Sequence, residues 1–338
     1  MLSLNELWFI LVAVLFVGFF FLEGFDFGVG MVARFLGKTD HERRIIINTI
    51  GPYWDANEVW LITAGGAMFA AFPEWYATMF SGFYIPFVVL LLALIARGVA
   101  FEFRGKMDYG AWRKAWDAAI FIGSLLPPFL FGVVFANIIR GVPIDGNKEM
   151  VGSVFDLLNG YSLAGGVAVV MICILHGLVF ITLRTTGDLR DRARKAARDV
   201  SPAVVVVLLL FAMMTYVSTD IYTVHGSSWI VLPLLAGGAL LLAMSFIKRE
   251  RDGLAFAMTG AVIILSAVSM FIGLFPRVMV SSISPEFNLT ITNAASGAYS
   301  LKVMTYISLT ILPFVLGYQI WSYYVFRKRI DDKEHLEY

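Results

Sequence analysis

Phe19-Phe20-Phe21-Leu22-Glu23-Gly24-Phe25-Asp26-Phe27-Gly28-Val29-Gly30 sets two carboxylates inside an otherwise apolar run that extends over about 7–33. A helix needs roughly 20 apolar residues to cross the hydrocarbon core of a bilayer, and this run is long enough. An ionised side chain at the centre of such a helix costs roughly 2.5–3.5 kcal/mol on insertion scales. Two acids three residues apart in one span therefore need a compensating partner elsewhere in the chain. The stretch reads as a membrane helix that carries part of a buried charged cluster.

The rest of the chain agrees. Of its 338 residues 59% are hydrophobic and only 15% charged, with a mean hydropathy of +0.78. A soluble domain has no use for that much apolar surface, so the chain reads as an all-α, polytopic membrane protein. A net charge of +1 gives no electrostatic case for nucleic acid. Cys173 is alone in an apolar run, which leaves no disulfide framework and no cysteine metal site. The residues before the first apolar run carry no basic cluster, and the run is too long for a cleaved leader. The first helix is expected to remain as a span.

Nine spans are expected, at about 7–33, 51–72, 77–102, 115–137, 162–183, 201–218, 228–247, 254–275 and 303–326. They form a single integral membrane domain over 1–338, read as two four-helix bundles plus one peripheral helix. Basic residues sort by side. Arg34, Lys38, Arg43 and Arg44 follow the first span, and Arg104, Lys106, Arg113 and Lys114 the third. Arg184, Arg190, Arg192, Arg194, Lys195 and Arg198 follow the fifth, Lys248, Arg249 and Arg251 the seventh, and Arg327, Lys328, Arg329 and Lys333 form the tail. The opposite side holds only Arg140, Lys148, Arg277 and Lys302. The positive-inside rule then puts the N-terminus outside and the C-terminus in the cytoplasm.

Of 26 basic residues, only Arg97 falls inside a span. Glu23 and Asp26 in the first span, and Asp55 and Glu58 in Trp54-Asp55-Ala56-Asn57-Glu58-Val59-Trp60 of the second, share an i, i+3 spacing. That spacing presents each pair in roughly one direction. The alternating course of the spans brings all four acids and Arg97 toward the cytoplasmic half. One cation does not neutralise several carboxylates, so carboxyl groups remain to exchange protons. Rare intramembrane charges of this kind mark proton or ion sites. The alternative is structural: Arg97 pairs with one acid while the others face water at helix ends. His176 lies mid-span without a spaced partner and reads as a hydrogen-bonded core residue; no zinc or multi-haem spacing is present.

Several stretches also carry a family resemblance. Gly24 to Gly30, Arg43-Arg44 with Asn48, and Gly51-Pro52-Tyr53-Trp54-Asp55-Ala56-Asn57-Glu58-Val59-Trp60-Leu61 resemble subunit II of the cytochrome bd-type quinol oxidases. So do Arg97-Gly98-Val99-Ala100-Phe101-Glu102-Phe103-Arg104, Thr185-Thr186-Gly187 and Asn288-Leu289-Thr290-Ile291. The resemblance spans nearly the whole chain. Val280 departs from it, standing where many members have proline.

The resemblance implies a multi-pass subunit of a cell-membrane complex, inactive alone, with a haem-bearing subunit I as partner. In such complexes subunit I holds haem b and haem d, oxidises quinol and reduces oxygen to water, with protons drawn from the cytoplasm. Subunit II usually binds no haem and no metal; some members hold a structural quinone, and some complexes add a small single-span accessory subunit. Asp26, Asp55 and Arg97 match family positions assigned to a cytoplasmic proton path, with Glu23 and Glu58 beside them. Trp54 and Trp60 match aromatic positions near the subunit interface, where an oxygen route has been placed. A competing reading is a proton-coupled secondary transporter using the same carboxylates. That class places broken helices at matching positions of two halves, whereas the acids here crowd the first three spans.

Overall fold

The computed structural model describes residues 2–330. Its helices are α1 (Leu4–Leu36), α2 (Asp40–Ile50), α3 (Trp54–Ala71), α4 (Pro73–Gly82), α5 (Tyr84–Phe103) and α6 (Gly110–Arg140), followed by α7 (Gly160–Arg184), α8 (Gly187–Ser218), α9 (Ile221–His225), α10 (Val231–Lys248), α11 (Asp252–Leu274) and α12 (Ala298–Val325). Ser3 opens α1 with a capping box: its hydroxyl accepts from the Glu6 N–H while the Glu6 carboxylate accepts from the Ser3 N–H.

Among the described residues eight helices are long and apolar enough to cross a membrane: α1, α5, α6, α7, α8, α10, α11 and α12. Helix α3 is 18 residues long, and with Asp55, Asn57 and Glu58 in its first turns it is not among these eight. Most boundaries shift by up to about five residues, and two differ by more. The third span does not begin near 77: a separate helix, α4, runs to Gly82, and α5 starts at Tyr84. Pro86 has no N–H to give the Gly82 carbonyl, so the helical ladder breaks there. The sixth span, expected from 201, belongs to a helix that starts at Gly187. Its basic stretch from Asp188 to Arg198 contains no glycine or proline to stop it, so the helix extends beyond the apolar segment.

Helices α1 and α7 pack together at the centre. Helix α3 rests on α1, α6 packs against both α7 and α1 with α5 on its outside, α8 rests on α7, and α11 packs against both α7 and α1 with α10 on its outside. Helix α12 lies outside, touching α1 and α3. The α1–α7 crossing depends on two glycines. A Cβ on Gly28 would lie 1.9 Å from the Cys173 carbonyl oxygen, and one on Gly177 would lie 2.4 Å from the Gly28 backbone. Only two bare backbones fit at this distance.

At the end away from the basic segments, the two long loops fold into one cap. Val142 N–H donates to the Val280 carbonyl at 3.0 Å, and Ser282 N–H to the Val142 carbonyl at 2.9 Å. Strands β1 (Arg277–Met279) and β2 (Leu289–Thr290) pair antiparallel within it. Asn5 on α1 ties to this cap through the Ile291 carbonyl at 2.7 Å.

Candidate functional site: a buried ion cluster between α1, α3 and α5

Arg97 is fully enclosed on α5. Helix α6 approaches α5 there across Gly123, where a Cβ would meet the Ala93 carbonyl oxygen and Arg97 Cβ at 2.6 Å. The guanidinium bonds Glu23 on α1 through Nη2 and lies 3.3 Å from Glu58 Oε1 on α3. Phe27 and Phe101 cover it, with their ring centres 4.8 and 5.6 Å from the guanidinium carbon. Such contacts favour a desolvated cation.

Glu23 and Asp26 are completely buried. Asp26 is held by Asn57, whose amide donates to Asp26 Oδ2 at 2.7 Å. Tyr323 on α12 then donates its hydroxyl to Asn57 Oδ1 at 2.7 Å. Its ring stacks on Tyr53 with centres 4.4 Å apart, and the Tyr53 hydroxyl donates to the Phe326 carbonyl at 2.8 Å. Among the described residues, Glu23 Oε2, Asp26 Oδ1 and Arg97 Nε and Nη1 have no hydrogen-bond partner. The cluster therefore holds carboxyl oxygens that are not committed to a fixed protein donor.

Exposure falls steeply across the group. Asp55 is exposed on the first turn of α3; the Glu58 side chain, one turn further, is 20% exposed; Glu23 and Asp26 are at 0%. The structure brings Glu23, Asp26, Glu58 and Arg97 together, whereas Asp55 stands at the outer edge. Trp54 packs 5.3 Å from Phe101 and against Gly98. Trp60 covers Gly18 of α1 and donates to Gln319 Oε1 of α12 at 2.9 Å. Two members were not singled out from sequence. Asn57 had a signal, a polar amide in a short apolar helix; Tyr323 had none.

Among the described residues no group of three or more His, Cys, Asp and Glu side chains could hold a metal ion. His176 is completely buried, with Nδ1 bonded to Thr259 Oγ1 at 2.8 Å. Its ring lies on Phe256, centres 4.5 Å apart and nearly parallel. A buried ring held by Thr259 and stacked on Phe256 fits a hydrogen-bonded core residue.

Fold and site together define a polytopic helical membrane protein with an ionisable cluster sealed in its interior. Comparison with known proteins gives the family. The sequence profile of cytochrome bd terminal oxidase subunit II matches residues 4–326. Cytochrome bd ubiquinol oxidase subunit 2 of Bacillus subtilis is 59% identical over 338 residues, covering 100% of both chains. Cytochrome bd-I ubiquinol oxidase subunit 2 of Escherichia coli K12 is 37% identical, covering 99% of this chain and 97% of that one. A chain of the bd oxidase structure from Geobacillus thermodenitrificans superposes with a TM-score of 0.75 at 15% identity, covering 96% of this chain and 99% of that one. At that identity the likeness shows the fold alone. The chain belongs to the cytochrome bd terminal oxidase subunit II family and is a membrane-embedded subunit of an oxidoreductase complex.

Proposed function

We propose that this chain is the haem-free subunit II of a quinol:oxygen oxidoreductase, that it scaffolds a haem-bearing subunit I, and that it supplies protons to it from the cytoplasm. The carrying observation is the fall in exposure from Asp55 to Glu58 to the sealed pair Glu23 and Asp26. A proton relay through hydrocarbon needs groups that accept and release protons, since an apolar wall offers a proton no partner. It also needs one open end and one dry end. Asp55 is the open end, Glu58 the step one helical turn inward, and Glu23 and Asp26 the inner groups with uncommitted oxygens. Arg97 holds Glu23 and Glu58 in register and offsets negative charge.

Haems b and d, bound on subunit I, supply the oxygen chemistry of the complex. Within this chain, the haem-free reading follows the family resemblance and the lack of a second histidine spaced to pair with His176 as an axial ligand. The relatives are subunits of ubiquinol oxidases; the substrate of this complex is accordingly a quinol. The proposal takes α3 as a ninth span, with the N-terminus outside and the basic segments in the cytoplasm. The outer faces of α3 and α5, where Ile62, Phe69, Leu91, Leu92 and Ile95 are exposed, are the surface for subunit I or for Trp54 and an oxygen route beside it.

The test uses the assembled complex. Asp26→Asn and Glu58→Gln should leave haem content and the reduced-minus-oxidised spectrum intact, while turnover drops roughly 10²-fold, at the low end of what a positioned proton-transfer group contributes. Asp55→Asn should lower turnover less, because water reaches an exposed position. Full turnover in all three variants at normal assembly would remove the relay role.

A further inference from the structure

A second feature lies away from the ion cluster, where the end of α1 meets the first turns of α2 and α6. It is a pocket of about 270 Å³ lined by Arg34, Phe35, Arg43, Lys114 and Asp117. None of these residues belongs to the ion cluster or to α3, α5 or α12. Helices α1 and α6 are both long and apolar enough to cross a membrane, and the pocket sits at their basic ends. It therefore lies where membrane helices leave the hydrocarbon, at the depth of lipid headgroups.

The carboxylates at this end are already in use. Asp117 accepts from Arg43 Nη1 at 3.1 Å and from Arg104 Nε at 2.6 Å. Asp40 pairs with Arg104 at 2.7 Å and Arg113 at 3.1 Å, and Arg113 also bonds Asp108. Three carboxylates and three guanidiniums make that network neutral. Glu42 is taken by Arg192 and by the Lys38 N–H. Arg34 and Lys114 stand outside the network. Both are exposed, and among the described residues neither has a carboxylate within 4.0 Å.

Two of the three lining cations are held in place by the protein. The Arg34 guanidinium carbon lies 5.5 Å from the Phe35 ring centre and 6.0 Å from that of Phe121. Arg43 is fixed by Asp117 and by the Gly37 carbonyl, to which its Nε donates at 3.1 Å. Beside the cations the surface turns apolar: Phe35 is 70% and Ile122 50% exposed. Lys114, Phe121 and Ile122 recur at helical spacing, so they share one face of α6.

We infer that this pocket holds the headgroup of an anionic phospholipid, its phosphate on Arg34 and Lys114 and one acyl chain along Phe35 and Ile122. Basic pockets between membrane helices suit acidic headgroups, and a guanidinium already fixed over aromatic rings loses little freedom on meeting a phosphate. The pocket has room for a headgroup and not for a whole lipid, which places the chains on the apolar surface beside it. A free phosphate would leave that surface unused. A soluble acidic partner would have to cover a surface that faces hydrocarbon. The inference does not rest on the proton-relay reading, since it uses neither the ion cluster nor turnover.

The test is lipid binding by the purified complex. After delipidation in mild detergent it is titrated with phosphatidylglycerol or with phosphatidylcholine, and bound lipid is counted by native mass spectrometry. The wild type should take up a phosphatidylglycerol that the Arg34→Gln/Lys114→Gln variant binds roughly 30-fold more weakly, the effect of two interfacial charges. Lys114→Gln alone should cost roughly 5-fold. The charge-preserving swap Arg34→Lys/Lys114→Arg should bind within about 5-fold of wild type. Phosphatidylcholine binding should be the same in every variant. Haem absorbance checks that each complex has assembled. Should the double variant lose haem, Lys114→Gln carries the test, because that side chain is exposed and without a partner to strand. Undiminished phosphatidylglycerol binding in Lys114→Gln would overturn the inference. So would equal uptake of the two lipids by the wild type, or displacement of the lipid by inorganic phosphate alone.

Discussion

Arg97 serves two acids on two other helices, Glu23 on α1 and Glu58 on α3, and its own side chain is fully buried. Removing one partner of a buried ion pair strands the other, at a cost of about 3–5 kcal/mol. Arg97→Met should therefore lower the thermal midpoint of the complex by far more than Glu23→Gln, followed through haem absorbance. Arg97→Lys should fall between them, because an ammonium lacks the planar fork that spans two carboxyls. The double variant Glu23→Gln/Arg97→Met should cost less than the two single losses together, as expected for residues in contact. Asn57 makes a second test. Asn57→Leu leaves both Asp26 and Tyr323 without their bond and should cost about 1–3 kcal/mol, while Tyr323→Phe removes only the outer link and should cost about 1 kcal/mol. The charged members were legible because the bilayer makes every charge in a span conspicuous. Asn57 and Tyr323 were not. The rotation of α3 about its axis is fixed by packing on α1, and that rotation turns Asn57 inward and Asp55 outward. Tyr323 arrives from a helix far along the chain, and no local pattern announces it.

At the scale of helices, the close approach of α1 and α7 is the least forgiving feature. A Cβ on Gly28 would overlap the α7 backbone at 1.9 Å, and backbone does not step aside as a side chain can. Gly28→Val should therefore reduce assembly of the complex severely, read as haem-containing complex per cell. Gly238 is the control: it lies on the exposed face of α10 with nothing within 4 Å of an added Cβ. Gly238→Ala should leave assembly unchanged or slightly improved, since alanine favours helix over glycine by about 1 kcal/mol. The spans themselves were readable because lipid demands a long apolar helix and little else. Their ends were less so. The break before α5 turns on Pro86, and hydropathy runs straight through it. The early start of α8 was hidden because a basic segment reads as a loop by charge, although nothing in it prevents a helix.

The whole molecule joins an apolar body to a charged rim, and the two respond to different variables. At the rim Glu42 of α2 pairs with Arg192 of α8 at 2.7 Å and accepts the Lys38 N–H at 2.6 Å. Burial pushes the Glu42 carboxyl up, but Arg192 and the backbone N–H groups outweigh it and hold the group below its ordinary value of 4.5. A folded value below the unfolded one stabilises the fold at neutral pH, and that contribution is lost as pH falls through the folded value. The thermal midpoints of Glu42→Gln and wild type should thus differ at pH 7, by less than about 1 kcal/mol for a partly exposed pair, and converge in acid below the usual carboxylate range. The apolar body poses the question of α3, the one expected span that its polar first turns leave short of a membrane helix by composition. If α3 crosses, Leu2 and Lys106 lie on opposite faces; if it does not, they share one. Cys173 is buried, so single cysteines can be introduced against a silent background. With an impermeant maleimide on intact cells, Leu2→Cys and Asn147→Cys should label directly, and Lys106→Cys and Arg198→Cys only after permeabilisation. Labelling of Leu2→Cys and Lys106→Cys from the same side would reduce the spans to eight and leave Asp55 and Glu58 on a helix that never enters the membrane, which would end the relay as drawn.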